Sequence, residues 1–280
     1  MINVLFSGNE YVFDGILTCA LSIFKRSDVS ERGVHFYVLT MDVSHLKENY
    51  TPIPDKHIEF LDWVVKQYSP KSEVTKIDVT DLYMKEFSNC PNEGAYCSPY
   101  TLLRLFADQI PGLPDKILYL DIDVMFNRDI RLLYDIDIEG YEYAAARDHY
   151  GKFLINPNYI NAGVLLFNLK YMKETGILAK ARELIKTKKL VFADQSAIIR
   201  STTKRKVLKQ RFNDQKFLHK KSTVVRHFSK RLFWLPYPHT DNIKQWHVSR
   251  VHKVFGYYCF DDIFYEYIYL KKRFLEDSAN

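Results

Sequence analysis

The chain has 280 residues, is 47% hydrophobic and 26% charged, and carries a formal net charge of +6. These values exclude a disordered or fibrous chain and leave room for one large domain, alone or with an appendage. The most apolar stretch, residues 15–24, is interrupted by polar side chains and falls short of the ~20 apolar residues that cross a bilayer, so a transmembrane helix is not expected.

Residues 2–7 (INVLFS) form an apolar run followed by Gly8, Asn9 and Glu10, and then by a helical pattern through Phe24, which predicts strand, loop and helix. Residues 35–40 and 57–60 repeat the strand signal. Residues 100–109 predict a helix that stops before Pro111, Gly112 and Pro114, and 116–120 (KILYL) have the pattern of a buried strand. Residues 143–146 and 163–168 add two strands, 171–190 a basic amphipathic helix and 193–200 another helix. Pro236 and Pro238 stand among aromatic residues, ahead of a stretch at 257–274 dense in Tyr and Phe. The alternation of strands and helices predicts an α/β fold. Its expected layout is one mixed-sheet domain at 1–235 with a small helical appendage at 236–280.

Charge is uneven. Residues 1–140 hold 13 Lys and Arg against 22 Asp and Glu, whereas residues 141–280 hold 27 against 12. A basic second half implies an anionic partner such as a phosphate-bearing substrate or an acidic membrane surface. No helix-turn-helix, RNP-type or zinc-finger signature is present, so nucleic acid is not the expected partner. The four cysteines form no C-x-x-C pair, which fits reduced thiols better than disulfides or a zinc cage. No basic residue precedes the first apolar run and no small-residue cleavage site follows it, so a secretory signal is not expected and the cytoplasm is the expected location. Neither G-x-G-x-x-G nor G-x-x-x-x-G-K spacing occurs, which argues against a Rossmann fingerprint and a P-loop.

The sharpest local feature is Asp121-Ile122-Asp123, directly after the buried-strand run. Successive strand residues point to opposite faces, so Asp121 and Asp123 can share one side while Ile122 takes the other. Two carboxylates at the carboxyl end of a buried strand, where α/β sheets bind ligands, call for a cation. Haloacid-dehalogenase-type phosphatases carry a comparable D-x-D-x-[TV], but here the fifth position is Met125 and the motif lies far into the chain.

Several motifs in order resemble glycosyltransferase family 8. They are Y100-T-L-L-R-L105 with Arg104, I117-L-Y-L-D-I-D123, N161-A-G-V-L-L-F-N168, Asp194-Gln195 and His227-Phe228. The resemblance runs over roughly residues 2–230. It implies a GT-A type nucleotide-diphospho-sugar transferase fold, a UDP-hexose donor and a divalent metal, Mn²⁺ with Mg²⁺ as the alternative. It implies Asp121, Asp123 and His227 as metal ligands. The expected donor-binding set is Ser7, Asn9, Tyr11, Arg104, Asp121, Ile122, Asp123, Asn161, Ala162, Gly163, Asp194, Gln195 and Lys230. Tyr11 is expected to stack on the base.

The family retains anomeric configuration, with Gln195 and Asp148 expected at the reacting sugar. An amide is a poor nucleophile, so front-face transfer is expected. After His227 the chain reads HFSKRLFWL and departs from the family's Gly and Lys spacing. Lys230 is the first expectation for the diphosphate and Lys244, from Lys244-Gln245-Trp246, the second. The acceptor is expected to be a glycan, a lipid-linked glycan or a glycoprotein, and the aromatic and basic 257–273 tail suits peripheral contact with a membrane face. A self-glucosylating protein of the glycogenin kind and a non-catalytic glycan-binding scaffold are the alternatives.

Overall fold

The apolar runs fold as strands whose alternate side chains feed two separate cores. The computed structural model describes residues 1–93, 98–233, 235 and 237–277. Its strands are β1 (Ile2–Ser7), β2 (Val34–Thr40), β3 (Glu73–Asp78), β4 (Lys116–Leu120), β5 (Val124–Phe126), β6 (Tyr143–Arg147), β7 (Ile160–Asn168), β8 (Arg205–Leu208), β9 (Val225–His227), β10 (Arg231–Phe233) and β11 (His239–Asp241). The helices are α1 (Phe13–Arg26), α2 (Asp55–Tyr68), α3 (Thr80–Phe87), α4 (Arg131–Tyr134), α5 (Gly151–Leu154), α6 (Leu169–Thr175), α7 (Ile177–Thr187), α8 (Ala193–Ser201), α9 (Val248–Phe255) and α10 (Asp261–Asp277).

Seven strands make one sheet in the order β3-β2-β1-β4-β7-β6-β8. Strand β7 is antiparallel to β4 and β6, and the remaining pairs are parallel. Because β7 runs backwards, its first residues lie at the same edge as the last residues of β1, β4 and β6. One rim of the sheet therefore gathers residues 7–9, 121–123, 148 and 161–163.

The alternation is visible strand by strand. Val4, Phe6, Leu118, Leu120, Val164 and Leu166 enter one core, beneath α1, α2 and α10. Leu5, Ile117, Tyr119, Leu165 and Phe167 enter the other, beneath α3, α7, α8 and the 3-10 helix Pro99–Phe106. In α10, Ile263, Phe264, Tyr267, Leu270 and Phe274 are buried in the first core together with β1 and α1. The Phe13 and Phe274 rings lie 4.7 Å apart, and Arg26 pairs with Asp262 at 2.7 Å.

Three expected elements take another form. Residues 57–60 belong to α2, where the buried positions Ile58, Leu61, Val64 and Val65 follow a helical spacing. The single helix expected at 171–190 is two, because Gly176 adopts the left-handed conformation (φ 65°) that ends α6 and starts α7. The helix expected at 100–109 is 3-10 in form over Pro99–Phe106.

Candidate active site

Tyr119, one residue before the end of β4, stands on the same face of the strand as Asp121. Its hydroxyl donates to Asp121 Oδ1 at 3.1 Å and lies 3.1 Å from Ser7 Oγ at the end of β1. Arg104 is buried beneath them. Its Nη2 donates to Asp121 Oδ1 at 2.9 Å, Nη1 to the Ala162 carbonyl at 2.6 Å and Nε to the Thr101 carbonyl at 2.9 Å. Asp194 Oδ2 lies 3.3 Å from Nε, and the guanidinium sits 3.9 Å from the centre of the Tyr119 ring. Burial works against the Arg104 charge, but Tyr119, Asp194 and Asp121 raise its pKa above the ordinary arginine value. Burial pushes the Asp194 carboxyl above its usual range, with Arg104 opposing. Arg104 is thus a fixed cation under the acidic rim.

Strand β5 follows directly on Asp123 and pairs with β9, and the register sets Val124 opposite His227. The Phe228 amide also donates to the Asp123 carbonyl at 2.7 Å. As a result Asp123 Oδ1 lies 3.1 Å from His227 Nε2, while Oδ2 receives the Lys244 ammonium. One ligand atom from each of Asp121, Asp123 and His227 falls within 4.8 Å of the others. Gly163 forms the floor of this cluster. A Cβ there would stand 2.4 Å from His227 Cε1 and 2.7 Å from Asp121 Oδ2, so the three side chains converge only over a glycine. Burial disfavours the Asp123 charge, yet Lys244 and His227 hold its pKa well below the carboxylate range. Burial likewise disfavours a charged His227, and Asp123 more than offsets it, leaving the imidazole above its ordinary value. Two carboxylates and one imidazole nitrogen make a mixed oxygen and nitrogen set that fits a divalent cation.

Beside the cluster, Asp148 Oδ1 accepts from the amides of Tyr150 (3.0 Å) and Gly151 (2.6 Å). Its Oδ2 accepts from Asn161 Nδ2 at 2.9 Å and from Gln215 Nε2 at 3.3 Å. Gln195, in the first turn of α8, accepts from the Ala162 amide at 2.9 Å. A cavity of about 200 Å³ opens in front of the carboxylates, lined by Ser7, Gly8, Asn9, Tyr119, Asp121, Ile122, Asp123 and Lys244 among others. The rim of the sheet therefore offers an anionic pocket with a cation at its mouth and a polar shelf beside it.

The fold brings together nearly all residues singled out in the sequence. Tyr11 is set apart: it is 58% exposed, its hydroxyl accepts from Asn49, and it does not line the cavity. Lys230 is exposed and does not line the cavity either, whereas Lys244 reaches Asp123 and also donates to the Phe228 carbonyl at 3.2 Å. Lys244 is placed by its neighbour. The buried Gln245 donates to the Ile122 carbonyl at 2.8 Å and to Thr18 Oγ1 at 3.1 Å, pinning the segment against the D-x-D turn. The sequence carries weak signals for Tyr119, through strand alternation with Asp121, and none for Asn213 and Gln215, whose side chains reach this site from a loop of ordinary composition.

The family described as Glycosyl transferase family 8 matches residues 3–230. Among curated proteins, a Haemophilus influenzae protein provisionally named a glycosyltransferase is 29% identical over 190 residues, 64% of this chain and 52% of its own length. The glycosyltransferase GlyF of Streptococcus pneumoniae is 26% identical over 55% of this chain and 34% of its own length. The chain thus matches about half or less of the length of these relatives. Among solved structures, the galactosyltransferase LgtC, in complex with donor and acceptor sugar analogues, superposes with a TM-score of 0.62 at 18% identity. That match covers 95% of this chain and 96% of LgtC. The glycosyltransferase GlyE of Streptococcus pneumoniae gives 0.62 at 19% identity, over 98% of this chain and 64% of that one. These structural likenesses establish the GT-A fold.

Proposed function

The chain belongs to glycosyltransferase family 8, and from that premise we propose that it is a metal-dependent, retaining hexosyltransferase. In this reading it moves glucose or galactose from a UDP-sugar to a glycan, a lipid-linked glycan or a glycoprotein. The observation that carries the reading is the convergence of Asp121, Asp123 and His227 over Gly163, at the carboxyl rim of the sheet. When bound, a divalent ion, Mn²⁺ or Mg²⁺, would supply Lewis-acid stabilisation to a departing diphosphate.

The chain's own residues do the rest. Asp121, Asp123 and His227 would hold the ion, and Arg104 fixes Asp121 from below. Lys244 stands at the cavity and supplies positive charge to the diphosphate; Lys230 is the alternative. Ser7, Asn9 and Ile122 line the nucleoside end, with the Tyr11 ring at the surface nearby. Asp148, Asn161, Asp194 and Gln195 engage sugar hydroxyls, where fixed hydrogen bonds discriminate epimers. Ala162 and Gly163 contribute backbone. Asp148 already accepts four hydrogen bonds and Gln195 is an amide, so neither makes a strong nucleophile. Both features favour front-face transfer, in which the acceptor attacks on the side the diphosphate leaves. A covalent glycosyl adduct on Asp148 or Gln195, seen by mass spectrometry, would overturn that choice.

The catalytic unit in this reading is residues 1–235, supplemented by Lys244 from the 236–280 segment. No helix among the described residues is long and apolar enough to cross a membrane. Tyr265, Ile268, Tyr269 and Leu275 are exposed along α10 beside Lys272, a strip suited to the headgroup layer of a cytoplasmic membrane face. Co-sedimentation with anionic but not neutral vesicles tests that contact.

The main test is calorimetric titration of UDP, UDP-glucose and UDP-galactose with and without Mn²⁺, repeated on Asp123→Ala. Uridine nucleotide binding that requires Mn²⁺ and disappears in the variant supports the reading, and the tighter sugar names the donor. Metal-independent binding, or none, would overturn it.

A further inference from the structure

Asn213 is fully buried just after the short 3-10 turn Gln210–Phe212, and its amide sits between two residues of the site. Nδ2 is 2.8 Å from Asn161 Oδ1, and Oδ1 is 2.9 Å from His227 Nδ1. Which atom of each amide is donor or acceptor is fixed from the far end of this chain. The Asp148 carboxylate collects the amides of Tyr150 and Gly151, so it acts as an acceptor and requires the NH₂ group of Asn161 to face it. The Asn161 oxygen then faces the other way, and the Gly163 amide, which can only donate, meets it at 3.0 Å. Two independent partners therefore orient Asn161 identically. That oxygen requires the NH₂ of Asn213, which leaves the Asn213 oxygen against His227 Nδ1. An acceptor at Nδ1 demands a proton there.

We propose that Asn213 is a positioning residue that keeps a proton on His227 Nδ1, so that Nε2 is the nitrogen presented to the Asp121 and Asp123 carboxylates. A ring nitrogen that binds a metal must offer a lone pair, and the hydrogen bond made by the other nitrogen decides which one is free. The Asp148, Asn161, Asn213 and His227 side chains thus form one directional line from the sugar-side shelf to the cation side. This inference rests on the reading of His227 as a metal ligand for its consequence, but the protonation of Nδ1 stands or falls separately.

Two measurements separate the cases. First, ¹⁵N spectra of the histidine rings in the metal-free protein, with His227 assigned by difference from His227→Gln, report the state of each ring nitrogen. The expected result is a charged ring that donates from Nε2 to Asp123 as well as from Nδ1 to Asn213, and that keeps the Nδ1 proton when it becomes neutral. A neutral ring protonated at Nε2 with Nδ1 bare would overturn the proposal, whether or not the protein binds metal. Second, Mn²⁺ titration in the presence of UDP, followed by the spin resonance of the free ion, compares wild type with Asn213→Leu. Leucine removes the acceptor and is expected to weaken Mn²⁺ binding about 10- to 100-fold. A folded Asn213→Leu protein that binds Mn²⁺ within twofold of wild type would overturn the proposal. If the leucine variant does not fold, the wild-type ring spectrum still decides. If wild type binds no Mn²⁺ while Nδ1 is protonated as expected, the positioning role survives and the functional reading fails.

Discussion

Gly163 is where the site is most sensitive to a single atom. A methyl group there meets the His227 ring and the Asp121 carboxylate well inside van der Waals distance. Gly163→Ala is therefore expected to cost about 1–3 kcal/mol of stability through overpacking and, with His227 and Asp121 as the proposed ligands, to weaken Mn²⁺ binding at least about tenfold by moving both; denaturant melts and Mn²⁺ titration read these separately. Lys244 gives a second comparison. If it carries the diphosphate contact, Lys244→Ala should weaken UDP binding by roughly 10- to 100-fold, the worth of a charge-assisted hydrogen bond, while Lys230→Ala stays within about twofold. Equal effects, or the reverse order, would restore Lys230. At this scale much was legible beforehand: Asp121, Asp123, Asn161, Gly163 and His227 stand in short, ordered motifs. Tyr11 lies outside the cavity, exposed on the short 3-10 turn Glu10–Val12 that the Asn9 side chain caps by accepting from its amide. Asn213 was not legible because its meaning lies in its hydrogen-bond partners, Asn161 and His227, and both are distant in sequence.

At the scale of elements, the apolar strands announced themselves and the polar ones did not. Glu73–Asp78 and Arg205–Leu208 are edge strands of the sheet, half exposed and short of apolar side chains, so neither periodicity nor composition marks them. In α2 the tetrapeptide at 57–60 imitates a strand until Leu61, Val64 and Val65 are counted with it. The β8 edge is secured by one carboxylate. Glu142, buried just before β6, accepts from the Thr202 and Thr203 hydroxyls and from the Thr203 and Lys204 amides. Burial opposes its charge, and these donors outweigh that, holding the pKa below the ordinary glutamate value. A lowered folded value contributes stability above the unfolded value of roughly 4.3 and loses it as pH falls through the folded one. Glu142→Gln is expected to be less stable at pH 7 by about 1–3 kcal/mol, with the gap narrowing as the pH is lowered through and below about 4. Urea denaturation across that range checks the sign, and a gap that widens in acid would contradict the assignment.

At the scale of the whole molecule, the C-terminal helix shares a core with the first strand. Phe264 is fully buried there, and Phe264→Ala is expected to cost about 3–5 kcal/mol. A single cooperative urea transition shifted by that amount would mean that 236–280 and 1–235 unfold together. An early separate transition would mark the tail as an independent unit. The sheet has a further consequence. Strand β4 is held in phase on one side by β1, with Val4 opposite Leu118, and on the other by β7, with Leu120 opposite Val164. It acts as a ruler clamped at both margins, and the carboxylates are the mark at its end. An insertion of one residue reverses parity and turns Asp121 toward the opposite core. Two residues restore parity but carry the mark about 6.6 Å past Gly163 and His227. Changes of length can therefore accumulate only outside the clamp, in connections such as residues 41–54, where the ruler is not read.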